Sequence, residues 1–303
     1  MIQRLFFLFA FGFATLATGA ASRADMMFGV TFTAQAMSDL SVSDQALFTS
    51  GLSFWDDIII NHRDGVSRSW TLTVDTFSQA ASGGGVLLGS AGPSGLAFSN
   101  VVSDGGPVPS NSRFIISTGG NANFNIHPDA GSLSADTVKH EIGHALGIGT
   151  LWEDNEVYSD GTAGNSNRTL AGGTPGQYVG AAGLAAYQAE IVGASGATFV
   201  PVELSGGSGT AHGHWNEADN FGQSLTGIVD TMGRDRRDEL MTGWASPNMD
   251  FISNTTIGSL YDIGFNVNVQ AVPEPSSLAL IAIGFAGVMG VRTRKQRRAK
   301  ADA

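Results

Sequence analysis

Two of the six histidines in this 303-residue chain stand four residues apart with a glutamate beside the first: His140-Glu141-Ile142-Gly143-His144, followed by Gly147. Four residues advance an α-helix by about 400°, so His140 and His144 share one helix face a turn apart. Two imidazoles placed that way can grip one Zn²⁺ ion. Glu141 then lies beside the open position, where a water activated by the metal is within reach of a general base. This is the H-E-x-x-H spacing of zinc peptidases. The plain alternative is a helix carrying two solvated histidines and a surface glutamate.

A zinc site needs a third protein ligand, and four histidines remain: His62, His127, His212 and His214. His62 and His127 read as ordinary polar surface residues. The other two lie in Thr210-Ala211-His212-Gly213-His214-Trp215-Asn216-Glu217. A glutamate ligand from another zinc-peptidase class is the competing arrangement. Glu153 and Glu156 follow His144 by 9 and 12 residues, without helix-forming context between.

Further on come Glu239-Leu240-Met241-Thr242-Gly243 and Ser259-Leu260-Tyr261-Asp262-Ile263-Gly264-Phe265. This order of motifs resembles the leishmanolysin family of metzincin metallopeptidases. Thr150 occupies the position where the common metzincin pattern has its third ligand. In the leishmanolysin-like pattern a long insertion intervenes instead, here the 66 residues between Gly147 and His214. The resemblance implies that His214, followed by Trp215, is the third ligand, with His212 its nearest competitor. It also implies that Met241 is the methionine beneath the metal; Met232 lacks the Glu-Leu context. Tyr261 reads as packing. The resemblance spans residues 28–268, with its specific motifs in the second half. It implies an α+β, metzincin-like, two-lobed zinc peptidase domain with a small twisted sheet, an active-site helix and a loop-rich C-terminal lobe.

The elements that must position these residues follow from periodicity. Ser134 suits the cap of a helix over 134–146, with Val138, Ile142, Ala145 and Leu146 as apolar faces and Gly147 as its terminator. Residues 28–34 alternate as a first strand, and Trp70, Leu72 and Val74 mark a second. Phe48, Leu52, Trp55 and Ile59 recur at helical spacing within 43–60. Residues 81–112 are rich in Gly, Ser and Pro and read as a long irregular excursion. A short strand is expected at 113–117, a Gly/Asn/Thr-rich loop at 159–181 and a short helix at 182–192.

The ends address the chain. Residues 1–24 read as a signal peptide: Arg4, an apolar run from Leu5 to Leu16, then Ser22-Arg23-Ala24 as the cleavage site. Residues 269–303 look like a PEP-CTERM sorting segment of Gram-negative bacteria. Val272-Pro273-Glu274-Pro275 precedes a 14-residue apolar run, Leu278 to Val291, and a basic tail from Arg292 to Lys300. That run falls below the roughly 17 to 25 residues that span a bilayer core. The resemblance implies an exosortase-type processing enzyme, transient inner-membrane association, and a final place at the cell envelope surface or in the extracellular matrix. The catalytic domain then occupies 25–268.

Residues 25–271 carry 8 basic against 25 acidic side chains, a balance of −17, which argues against a nucleic-acid partner. The acidic segment 230–239 is a weak candidate for calcium, since no twelve-residue calcium loop is present. There are no cysteines, which excludes thiolate ligands, a cysteine nucleophile and disulfides, unlike the cysteine-rich leishmanolysin itself. The sequence therefore supports an exported zinc metalloendopeptidase acting on a protein or peptide substrate, bound by strand addition in a cleft between lobes. On this reading His140 and His144 are metal ligands, the resemblance implies His214 as the third, and Glu141 is the general base. Two other readings compete: a non-catalytic surface or matrix protein with a vestigial zinc site, and a zinc hydrolase of a non-peptide bond.

Overall fold

The computed structural model describes residues 26–83, 85–102, 113–162, 170, 172–207, 209–217, 224–245 and 251–268. Both terminal segments, where the export and sorting signals are expected, lie outside the described residues. So do parts of the 81–112 and 159–181 stretches.

The chain is mixed α and β. It opens with β1 (Met27–Phe32), then a short helix α1 (Ala34–Asp39) and a long one, α2 (Val42–Ile58). α2 begins where the sequence provides a reciprocal cap: the Ser41 hydroxyl accepts from the Asp44 N–H, and the Asp44 carboxylate accepts from the Ser41 N–H. The helix ends at Ile58 rather than Ile60, because Ile59–His62 form a strand, β2. β3 (Ser69–Phe77) buries Trp70, Leu72 and Val74 in the expected alternation.

The 81–112 expectation needs correction. A 14-residue strand, β4 (Gly89–Val102), runs through it and pairs antiparallel with β5 (Arg113–Asn125), itself eight residues longer than the sequence indicated. Glycine, serine and proline masked it because they weaken a strand's local signal. Their placement is nevertheless physical. β4 lies at the sheet edge, where proline is tolerated, and the register shifts around Pro93 and Gly95.

The four-stranded sheet has the order β1-β3-β5-β4, with β1, β3 and β5 parallel and β4 the antiparallel edge. Beneath it lies α3 (Ala135–Leu146), capped by the Ser134 hydroxyl on the Thr137 N–H and ended at Gly147 with φ 123°. The helix is held from both sides. A Cβ added to Gly120 on β5 would collide with Ala145 and Trp70, so sheet and helix meet at backbone distance. On the other side, a Cβ at Gly51 of α2 would lie 2.9 Å from Ile142, and Trp55 Nε1–H donates to the Lys139 carbonyl across 2.9 Å. Val138, Ile142, Ala145 and Leu146 are wholly buried; each of the larger three contributes roughly 1.5–3 kcal/mol of burial.

After Gly147 regular structure is sparse among the described residues. β6 (Gln177–Tyr178) pairs with β7 (Val200–Pro201), and α4 (Ala181–Glu190) lies between them. α5 (Asn254–Asp262) leads into β8 (Phe265–Val267), which returns to pair with β2. Asp262 locks this return. Its carboxylate accepts from Tyr178 Oη, Ala182 N and Gly183 N at 2.8–2.9 Å, capping α4 from the end of α5. His62 departs from its expected surface place. It is fully buried and stacks on Phe265 with ring centroids 4.9 Å apart.

Candidate metal centre

α3 presents His140 and His144 on one face, and the 210–215 segment brings His214 to them. The three Nε2 atoms form a small triangle, with separations of 3.0 Å (His140–His144), 2.9 Å (His144–His214) and 3.1 Å (His140–His214). The group is buried, His140 being the least covered of the three.

Donor accounting shows what this triangle means. Each Nδ1 faces a backbone carbonyl: His140 to Leu240 O at 2.6 Å, His144 to Ile148 O at 2.9 Å, His214 to Thr210 O at 2.8 Å. A carbonyl only accepts, so each Nδ1 carries the proton. Burial drives all three imidazoles toward the neutral form; that of His214 is brought down to about 3 by desolvation and then by the neighbouring His140. A neutral ring protonated at Nδ1 has a bare lone pair at Nε2. Three such lone pairs therefore converge with no proton between them. That arrangement repels itself unless a cation is shared, and it fits a metal of the imidazole-favouring class. The carbonyls are the outer partners that fix tautomer and ring orientation.

His212 stands elsewhere. Its Nδ1 meets Tyr158 Oη at 2.7 Å, and its own backbone sits at φ 70°. Glu153 takes the Asp160 N–H at 2.5 Å, and neither it nor Glu156 joins the histidine group. His127 caps a single turn of 3-10 helix at Pro128–Ala130. Met241 is fully buried beneath α3: a Cβ added at Gly143 would lie 2.8 Å from its Sδ. Met232 is 75 % exposed. The acidic segment 230–239 is already satisfied by donors. Asp230 accepts from Met232 N, Arg234 N and the Arg234 side chain, and Asp235 from Thr226, Gly227 and Arg237.

Glu141, on the same helix as His140, is buried, with only 6 % of its surface exposed. Its Oε2 has no hydrogen-bond partner, and burial pushes its carboxyl up to about 8. β4 passes directly over it: a Cβ at Gly89 would fall 2.9 Å from Glu141 Oε1. A side chain at residue 89 would therefore have to displace the Glu141 carboxyl group or the strand. Sequence reasoning missed this contact with the strand. It also missed the three orienting carbonyls, which are backbone atoms with no residue-type signature.

Comparison with known proteins bears on the C-terminus. Residues 271–295 match the PEP-CTERM protein-sorting motif. That motif marks chains exported toward the envelope of Gram-negative bacteria and implies recognition by an exosortase-type enzyme. No curated protein matches the chain. Among the described residues no helix is long and apolar enough to cross a membrane.

Proposed function

We propose that the chain is an exported zinc-dependent endopeptidase of the leishmanolysin-like metzincin kind. The observation that carries this reading is the convergence of three Nδ1-protonated imidazoles, with Glu141, next to His140 on α3, keeping a buried Oε2 that has no hydrogen-bond partner. His140, His144 and His214 hold the ion. Bound there, zinc supplies Lewis-acid polarisation of a carbonyl and acidification of water. Glu141 is the general base: it takes the proton of the attacking water and returns it to the departing amine. Burial raises its carboxyl, whereas a neighbouring cation favours the ionised form. These opposed influences suit a group that must both accept and release a proton.

The peptide geometry of the substrate is supported by β4. Among the described residues no strand pairs with its outer edge, and its first residue packs against Glu141. An extended chain hydrogen-bonded along that edge is held in register with the base. The Met241 packing under α3 and the His214-Trp215 segment agree with the motif order that suggested the family.

The test is digestion of a mixed protein substrate by the full chain, with mass spectrometry of the products. New peptide termini that vanish on chelation and return with zinc are expected. A folded, zinc-loaded protein that yields none contradicts the proposal.

A further inference from the structure

Glu239 has no role in the chemistry above, yet it is fully buried and both its oxygens are engaged. Oε2 accepts the Met241 N–H at 2.6 Å. Oε1 accepts from Ser253 N at 3.0 Å, Ser253 Oγ at 2.9 Å and Thr256 Oγ1 at 2.6 Å. Each arm leads to a different histidine. The Oε2 arm fixes the Leu240–Met241 peptide, whose own carbonyl, Leu240 O, is the one that receives His140 Nδ1–H. The Oε1 arm holds Thr256, whose hydroxyl oxygen accepts from Trp215 Nε1 at 2.7 Å, and Trp215 adjoins His214. The Trp215 N–H in turn donates to Met241 O at 3.1 Å, closing the loop between the two arms.

Arg236 supplies the counter-charge. Its guanidinium is buried, with centroid distances of 5.2 Å to Tyr187 and 5.4 Å to Trp215. Its nitrogens make no hydrogen bond, so it balances the glutamate without occupying either oxygen.

We infer that Glu239 is a positioning residue for the metal centre, a carboxylate that ties the supports of His140 and His214 into a single rigid unit. The inference rests on the three histidines being a metal site. Both oxygens must accept at once, and glutamine cannot do this: its amide presents N–H to one arm, opposite an N–H or O–H that already donates.

Glu190 provides the control. It is also buried, and its carboxylate also secures the start of α5, accepting from Asn254 N at 2.8 Å, Thr255 N at 2.9 Å and the Thr255 hydroxyl. Unlike Thr256, which accepts from Trp215, neither Asn254 nor Thr255 is bonded to a segment bearing a histidine. The experiment measures zinc affinity of the full chain by chelator competition, with the visible spectrum of the cobalt-substituted protein, for wild type, Glu239→Gln, Thr256→Val and Glu190→Gln. Glu239→Gln should bind zinc about 10- to 100-fold more weakly and shift the cobalt bands. Thr256→Val, which cuts only the His214 arm and keeps the side chain's shape, should move both readouts the same way by less. Glu190→Gln should lower the melting temperature and leave both unchanged. If Glu239→Gln does not fold, Thr256→Val decides. Wild-type affinity and spectrum in the Glu239 and Thr256 variants overturn the inference, as does an equal loss in Glu190→Gln. A wild-type chain that binds no zinc or cobalt removes the site reading itself, and is recognisable from that arm alone.

Discussion

His144 Nε2 and His214 Nε2 face each other across 2.9 Å with both Nδ1 protons committed to carbonyls. Two lone pairs at that distance store repulsion that a shared cation relieves. Zinc should therefore stabilise the folded chain strongly, by about 4 kcal/mol at a thousandfold excess over its dissociation constant. His214→Ala should abolish that stabilisation. His212→Ala should retain it, because His212 is turned toward Tyr158. Melting curves with and without zinc distinguish the two. Equal loss in both variants contradicts the ligand assignment.

Gly89 and Glu141 make a second prediction. A methyl group at residue 89 has no room beside Glu141 Oε1, so Gly89→Ala must displace either β4 or the carboxyl group. Displacements near 1 Å at a reacting group cost on the order of 100-fold in rate. Gly89→Ala should keep zinc affinity and lose roughly that much turnover. Unchanged turnover would show that the contact does not position the base.

His62 predicts a pH dependence unrelated to catalysis. Burial, and secondarily the charge of Arg68, lowers its pKa from 6.5 to about 4. The folded state then binds fewer protons than the unfolded state between those values. Its contribution is fully present above pH 6.5 and is lost as pH falls toward 4, by up to about 3 kcal/mol. Urea unfolding of wild type and His62→Gln over pH 4–7 checks this. The variant should show a flatter acid limb, and parallel limbs would contradict it.

The readability of the sequence divides along physical lines. The α3 helix, its Ser134 cap and its Gly147 terminator were legible because cap, periodicity and breaker agree locally. β3 was legible from the alternation of Trp70, Leu72 and Val74. β4 was not, since Gly89, Gly92, Pro93 and Gly95 weaken the local strand signal, and what they serve, an edge position paired with β5 and a close approach to Glu141, is set by tertiary contact. The convergence of His140, His144 and His214 was reached through motif order. Their carbonyl partners, and the Glu239 bonds that tie them together, depend on backbone placement that no residue spacing encodes. His62 misled because a histidine buried against Phe265 looks the same in sequence as one on the surface.

Glu141 bears the central claim most directly. Glu141→Gln keeps the side chain's shape beside β4 and leaves all three imidazoles intact, but it cannot accept a proton. The decisive measurement is peptide-bond cleavage by the full chain and by Glu141→Gln, each shown to carry one zinc per chain. We expect equal metal content and a turnover about 10²–10⁴-fold lower in the variant. Equal cleavage by the two proteins would contradict the assignment of Glu141 as the base, and with it the mechanism proposed for this site.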